Sequence, residues 1–110
     1  MHKYRVSAYL CGHDHNLQHI AENYLNHTVH YFVSGAANMN NEKTKNSDKI
    51  PKNSLKFAWT KGFKIELGGL ALIKVDQTSM NIKFIRSINS KTSETQGKLL
   101  YKTEIYPRNV

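Results

Sequence analysis

Two apolar runs joined by a short polar turn place the strongest constraint on the fold. Residues 70–75, Leu-Ala-Leu-Ile-Lys-Val, are nearly all apolar, which predicts a strand buried on both faces. Residues 76–79, Asp-Gln-Thr-Ser, are residue types typical of a turn. Met80, Ile82 and Phe84 then alternate with polar residues, as expected for a half-buried strand. The sequence therefore predicts a β-hairpin over residues 70–84.

The remaining apolar segments also favour strands. Alternating, β-branched or aromatic residues predict strands at residues 4–11, 29–34, 55–60 and 99–105. Residues expected to share one side of a strand are Val6, Ala8 and Leu10; Leu55, Phe57 and Trp59; and Leu99, Tyr101, Thr103 and Ile105. The segment 17–24 is ambiguous, because its apolar residues fit helical spacing and the run is short. Polar residues predict a long exposed loop over 38–54 and a connection over 87–97, with no repeat and no second domain.

The first predicted strand ends at a glycine that is followed by two imidazoles. Gly12 is expected to let the backbone turn sharply, and the loop after it presents His13 and His15. A rigid strand with histidines on its following loop is a suitable frame for a metal ion. The spacing alone is a weak signal, because two of six histidines often fall close together by chance. Surface or half-buried imidazoles are the alternative interpretation.

Four sequence landmarks are spread along the chain. Residues 9–18 read Tyr-Leu-Cys-Gly-His-Asp-His-Asn-Leu-Gln, and residues 32–38 read Phe-Val-Ser-Gly-Ala-Ala-Asn. Residues 67–71 read Leu-Gly-Gly-Leu-Ala, and residues 99–103 read Leu-Leu-Tyr-Lys-Thr. In this order they resemble the last metal-ligand motif, the Ser-Gly-Ala segment, the Leu-Gly-Gly-Phe-Ala segment and the closing strand of the purple acid phosphatases, in particular the small tartrate-resistant type.

The resemblance implies a fold larger than 110 residues can build. The family belongs to the calcineurin-like metallophosphoesterases, whose domain is an α+β four-layer α/β/β/α sandwich. Residues 1–110 are therefore expected to form the C-terminal part of one such domain, mostly β, with the upstream part absent. The resemblance also favours a strand over residues 17–21, followed by an inserted turn near residues 22–28.

The resemblance further implies a dinuclear metal site. By motif position, His13 resembles the ligand of a divalent metal (iron, zinc or manganese) and His15 the ligand of ferric iron. Asp14 and Asn16 lie where they could orient the two imidazoles. The implied reaction is the hydrolysis of phosphate monoesters by a metal-bound hydroxide, for which no protein nucleophile is needed. An acid phosphatase of this family is commonly secreted or lysosomal, so the secretory pathway is the expected compartment.

The other ligands of such a site belong upstream of this chain in the family. His2, His19, His27 and His30 fit no family ligand position, so they are expected to be solvent-facing or hydrogen-bonded imidazoles. Two ligands cannot saturate a metal ion, so the chain alone is expected to be inactive without the N-terminal part of the domain. The alternative is a non-catalytic protein that uses the phosphatase fold for interaction, for example as a membrane-complex anchor.

The charge balance is basic, with sixteen Lys and Arg against eight Asp and Glu and a formal net charge of +8. A nucleic-acid partner predicts clustered cations. The one local concentration is Lys43, Lys45, Lys49, Lys52 and Lys56. This stretch also carries acidic residues and no arginine, so solvation of a polar loop is the preferred interpretation and no nucleic-acid binding is expected.

Three shorter features concern compartment and modification. Cys11 is the only cysteine, which excludes an internal disulfide, and it is expected to act as a small apolar residue at a strand end. No signal peptide is visible at residues 1–5, and no apolar run approaches the ~20 residues of a membrane span. Asn26-His27-Thr28 is a glycosylation sequon, usable in a secretory compartment.

Overall fold

The computed structural model describes residues 2–12, 16–35, 53–59, 68–87 and 97–107. A short 3-10 helix, His2–Tyr4, precedes seven strands: β1 Ala8–Cys11, β2 Leu17–Tyr24, β3 His27–Ser34, β4 Leu55–Trp59, β5 Gly69–Val75, β6 Met80–Arg86 and β7 Lys98–Ile105. The described part of the chain is therefore mostly β, as predicted. It includes no helix of the length and apolar character that crossing a membrane requires.

The strands form two sheets. The first has the order β1-β3-β2-β4, in which β1 and β3 run parallel and the other neighbours are antiparallel. The second is an antiparallel β5-β6-β7 sheet that contains the predicted hairpin. The most buried apolar side chains come from both sheets: Leu17, Phe32, Ile82, Phe84 and Ile105. The sheets therefore pack face to face on one shared core.

The second strand is longer than predicted, and the inserted turn is shorter. β2 continues to Tyr24 and pairs with β3 along its whole length, so no helix forms and the turn expected near residues 22–28 is reduced to two residues. Only Leu25 and Asn26 connect the strands, and both have positive φ, 50° and 63°. Such a pair is typical of a two-residue type I′ hairpin turn, whose twist matches that of the flanking strands. Strand pairing thus overrides the helical spacing of residues 17–24.

Leu25→Asn is expected to raise the free energy of unfolding by about 0.5–1 kcal/mol, because leucine is strained at positive φ and asparagine tolerates it. Leu25 is 77% exposed, so little packing is lost. Urea denaturation followed by the fluorescence of Trp59, the only tryptophan, measures the change. A lower unfolding midpoint would contradict the assigned backbone conformation.

The hairpin turn between β5 and β6 is organised by one carboxylate. Asp76 Oδ1 accepts hydrogen bonds from the Thr78 amide (2.7 Å), the Thr78 hydroxyl (2.8 Å) and the Ser79 amide (2.9 Å). The Asp76 amide donates to the Ser79 carbonyl at 3.0 Å. Hydrogen bonds to the charged form, first of all that from the Thr78 amide, lower the pKa of Asp76. The predicted turn and hairpin are confirmed.

The prediction that residues 70–75 are buried on both faces is wrong for the described chain. Ala71 and Ile73 pack against the core, whereas Leu70 and Leu72 on the opposite face are 48% and 54% exposed. A run that is apolar at nearly every position does not indicate which face of the strand is covered by other residues. No described residue covers this outer face.

Two other strand predictions need correction. The strand predicted over residues 4–11 begins only at Ala8, because Arg5 has a left-handed φ of 54° that breaks the extended backbone, and Leu10 is 51% exposed. In β7 the expected phase is broken where the pairing with β6 shifts between Phe84 and Ile85. Leu100 therefore packs on the core while Leu99 is 49% exposed.

The remaining predictions divide between described and undescribed residues. The strands predicted over 29–34 and 55–60 are confirmed as β3 and β4, and Leu55, Phe57 and Trp59 share one half-buried side. The loop over 38–54 lies outside the described residues up to position 52, as does the connection 87–97 between positions 88 and 96. Of the lysine-rich stretch only Lys56 is described, and its Nζ donates to the Asn53 carbonyl at 2.9 Å.

Gly69 allows the two sheets to approach closely at the start of β5. A Cβ at this position would lie 2.7 Å from Leu17 Cδ1 and 3.0 Å from Trp59 Cζ3. Gly69→Ala is therefore expected to lower the free energy of unfolding by about 1–3 kcal/mol through overpacking. Gly12→Ala is the matched control, because a Cβ there meets the Ser34 carbonyl at an ordinary 3.5 Å. Equal urea midpoints for the two variants would contradict the close approach.

Candidate metal centre

Both ends of the loop after β1, Gly12 and Asn16, lie close to the end of β3. A Cβ on Gly12 would be 3.5 Å from the Ser34 carbonyl oxygen, at the end of β3. At the other end, the Gly35 amide donates a hydrogen bond to the Asn16 carbonyl at 3.0 Å. Because β1 and β3 are parallel and β2 is antiparallel to β3, the end of β1 and the start of β2 both lie at the carboxyl end of β3. Gly35, the first residue after β3, therefore lies against Asn16 at the end of this loop.

Three of the four residues predicted for the metal site belong to the undescribed part of the loop. His13, Asp14 and His15 lie outside the described residues. Within the ranges that the structure describes, no group of three or more His, Cys, Asp and Glu side chains could hold a metal ion. The assignment of His13 and His15 as ligands, and of Asp14 as an orienting residue, therefore stays a prediction.

Asn16 is the one member of the predicted site that is described, and its environment is unusual. Its side chain is 3% exposed, and Oδ1 is buried with no hydrogen-bond partner among the described residues. A buried amide oxygen without a donor carries a free-energy penalty, so such groups are rare unless a partner or function accounts for them. A metal-bound imidazole uses one ring nitrogen for the metal and donates its other N–H to such an acceptor. Asn16 therefore fits the vicinity of a histidine-ligated metal.

The sharp turn expected at Gly12 continues into residues outside the described ranges, so it stays a prediction. None of the described glycines has positive φ, so Gly12 itself does not adopt a left-handed backbone. The space around this glycine also accommodates a methyl group. Among the described residues, the loop contacts the end of β3 through the hydrogen bond from the Gly35 amide to the Asn16 carbonyl.

The histidines outside the loop behave as structural imidazoles, as predicted, wherever their side chains are described. His19 Nδ1 is 2.7 Å from the Tyr101 hydroxyl, and its Nε2 is 2.9 Å from His30 Nδ1. His27 Nε2 donates to the Val6 carbonyl at 2.8 Å. His19 and His27 are buried, and His30 is half-buried. The side chain of His2 lies outside the described residues.

The hydrogen-bonded chain Tyr101–His19–His30, here called the inter-sheet chain, was not foreseen from the sequence. It joins β7 of the second sheet to β2 and β3 of the first. His19 lies in phase with the inward-facing Leu17, which places it on the core side of β2, but its partner Tyr101 is 82 residues away. The alternation along β2 indicates that His19 is buried, whereas its pairing with Tyr101 depends on how the two sheets meet.

Burial has a large effect on the inter-sheet chain. The pKa of His19 is lowered from 6.5 to about 4, first by burial and then by electrostatic repulsion from His30 and Lys56. The pKa of His30 is lowered too, first by burial and then by His27. The His19 imidazole therefore remains neutral in mild acid.

Cys11 completes the description of the strand that precedes the loop. Its side chain is half-buried, and Sγ donates a weak hydrogen bond to the Phe32 carbonyl at 3.7 Å. The thiol thus contacts the neighbouring strand β3, as expected for a small side chain that packs at a strand end.

Comparison with known proteins identifies relatives along almost the entire chain, although no family model matches it. The chain is 35% identical to tartrate-resistant acid phosphatase type 5 of Oryctolagus cuniculus over 106 residues, which are 96% of this chain and 29% of that protein. It is 35% identical to the Homo sapiens protein of that name over 102 residues, or 93% of this chain and 27% of the relative. For the Sus scrofa protein the identity is 33% over 102 residues, or 93% and 26%.

The matched part is small compared with the relatives themselves. This chain spans between 26% and 29% of their length. The similarity nevertheless covers the loop, both sheets and the four landmarks, because it extends over at least 93% of the chain. This chain is therefore related, along almost its whole length, to the tartrate-resistant acid phosphatases of type 5, and the family resemblance of its landmarks is confirmed.

Proposed function

We propose that this chain is the C-terminal part of a metal-dependent acid phosphatase that hydrolyses phosphate monoesters. The observation that carries the proposal is the similarity to acid phosphatases over 93–96% of the chain, combined with a coverage of only 26–29% of their length. The remaining ligands of the site then come from the N-terminal part of the same domain. The compartment we propose is the secretory pathway.

Within that site, His13 would bind a divalent metal (iron, zinc or manganese) and His15 ferric iron. A metal pair, when bound, supplies an activated water and positive charge for the phosphate ester. The chain's own contribution is to hold both imidazoles on one loop, with Gly12 against Ser34 and Asn16 against Gly35.

Asn16 would orient one of these imidazoles. Its Oδ1 is a buried acceptor without a partner, and an imidazole N–H would satisfy it. Such an acceptor fixes the ring tautomer that leaves the other nitrogen free for a metal. The histidines must be neutral to bind, so metal affinity is expected to fall with falling pH.

The deciding experiment uses the longer polypeptide encoded by the complete transcript. We expect this protein to contain iron and to hydrolyse p-nitrophenyl phosphate at pH 5, whereas the 110-residue chain does neither. His13→Ala and His15→Ala should remove bound metal and activity together, and His2→Ala should change neither. An active and metal-replete His15→Ala protein would overturn the assignment. A folded parent without metal or activity would instead favour a non-catalytic interaction protein or membrane-complex anchor.

The role of Asn16 has a separate readout. Asn16→Leu removes the acceptor, whereas Asn16→Asp keeps an acceptor oxygen. We expect Asn16→Leu to lower metal affinity about 10–100-fold in the parent, as found for residues that orient metal ligands. Competition with a chelator, followed by metal analysis, measures this without relying on activity. Equal metal retention by Asn16→Leu and the unmodified protein would remove Asn16 from the site.

A further inference from the structure

The tip of the β2–β3 hairpin carries the chain's glycosylation sequon. Asn26 is the second residue of the two-residue turn, exposed and with φ of 63°. Thr28, the hydroxyl residue of the sequon, is the second residue of β3. The turn therefore presents the acceptor amide to solvent at the end of the sheet opposite residues 12–16.

A cleft of about 260 Å³ opens beside this side chain. Asn26 and Thr28 line one side of it, and Glu104, Tyr106 and Pro107, at and after the end of β7, line another. Tyr106 is 67% exposed, so its ring is available to a ligand that enters the cleft. The cleft thus combines polar groups with one aromatic and one proline surface, next to an asparagine that can be modified.

We propose that Asn26 carries an N-linked glycan and that its first N-acetylglucosamine occupies this cleft. A hexosamine has polar edges for groups such as Glu104 and Thr28 and an apolar ring face for Tyr106. In addition, the neighbouring turn residue Leu25 is 77% exposed, and a glycan attached at Asn26 would cover it. The inference is independent of the metal chemistry, because the hairpin tip lies at the far end of β2 and β3 from the histidine loop.

The modification is a transfer from a polyprenyl-diphosphate oligosaccharide. The Asn26 amide nitrogen forms a bond to C1 of the first N-acetylglucosamine, and the bond from C1 to the diphosphate oxygen breaks. The amide loses one proton to a base, and the polyprenyl diphosphate leaves with the electron pair. No oxidant or reductant is needed.

The first test is the secretion of the complete 110-residue chain behind a cleavable leader in cultured eukaryotic cells. We expect one glycan, seen as a mass decrease after digestion with peptide N-glycosidase. Thr28→Ala and Asn26→Asp should abolish it, whereas Thr28→Ser keeps the sequon and should retain it. Aspartate is chosen because it tolerates the positive φ of the turn. If the glycosidase leaves the mass of the unsubstituted chain unchanged, the proposal is overturned.

The second test concerns the cleft. If the first sugar is seated against Tyr106, the glycosidase should release the glycan from the native chain several-fold more slowly than from Tyr106→Ala. Tyr9→Ala is the matched control, since Tyr9 is 46% exposed but does not line the cleft. Denatured samples of all three chains should release the glycan at one rate. Equal rates of glycan release from the native chain and from native Tyr106→Ala would overturn the placement of the first sugar in the cleft.

Discussion

Acidification from pH 6.5 to pH 4 is expected to lower the free energy of unfolding of this chain by about 3 kcal/mol through His19 alone. The folded chain holds the pKa of His19 at about 4, below its ordinary 6.5, first because the ring is buried. The unfolded chain therefore takes up this proton at higher pH than the folded chain does. The contribution of His19 to the free energy of unfolding is fully present above pH 6.5 and is lost between pH 6.5 and pH 4. Below pH 4 the free energy of unfolding depends no further on this group.

Urea denaturation at a series of pH values measures this effect, with His19→Gln as the informative variant. Glutamine keeps a donor and an acceptor but does not titrate, so the slope between pH 6.5 and pH 4 should flatten. Tyr101→Phe is the comparison, because it removes the hydroxyl partner at 2.7 Å but leaves the imidazole. It should lower stability at pH 7 by about 1–2 kcal/mol and keep the slope. An unchanged slope in His19→Gln would contradict the prediction.

Phe84→Ala is expected to lower the free energy of unfolding by about 3–5 kcal/mol, since a large buried ring is lost and a cavity remains. Phe84 is 0% exposed, and its ring centroid lies 6.4 Å from that of Phe32 and 5.7 Å from that of Phe57. It thus contacts strands of the opposite sheet. Truncation at this position removes packing between the sheets as well as within one.

The control for this variant is Leu72→Ala on the outer face of the second sheet. Leu72 is 54% exposed, so its truncation should change stability by less than about 1 kcal/mol. Both variants lie on neighbouring strands of the same sheet, so a difference between them reports the burial of Phe84 and not the loss of a strand side chain in general. Similar urea midpoints would contradict the packing of the two sheets through Phe84.

The strands could be predicted because their signals are local. The alternation of Met80, Ile82 and Phe84 and the turn at Asp76 are properties of a few neighbouring residues, and both are confirmed. The extent of β2 was missed, since pairing with β3 and not local spacing carries it to Tyr24. Likewise, the pairing of β6 with β7 shifts by one residue beside Phe84, which leaves Leu99 exposed, and this shift depends on the partner strand. Neighbouring residues indicate which side chains of a strand share a face, whereas the register of a strand depends on its partner.

For the candidate site, the sequence predicted which residues form the loop but not what supports it. Gly35 contacts this loop through the Asn16 carbonyl, a pairing that the spacing of residues 12–16 does not indicate. Gly12 does not adopt the positive φ that a glycine allows. The inter-sheet chain could not be predicted, because His19 and Tyr101 meet only when the two sheets are assembled.

The inter-sheet chain also determines how far the two sheets can slide past each other. Aromatic contacts such as Phe57 on Tyr101, with centroids 4.5 Å apart, are broad and tolerate small displacements. The hydrogen bond between the Tyr101 hydroxyl and His19 Nδ1 does not, because a slide by one pair of residues displaces the partners by roughly 6–7 Å. Such a slide would therefore leave the His19 ring without this partner. The hydrogen bond between Tyr101 and His19 thus selects the alignment of the two sheets, and the surrounding aromatic rings supply most of the packing between them.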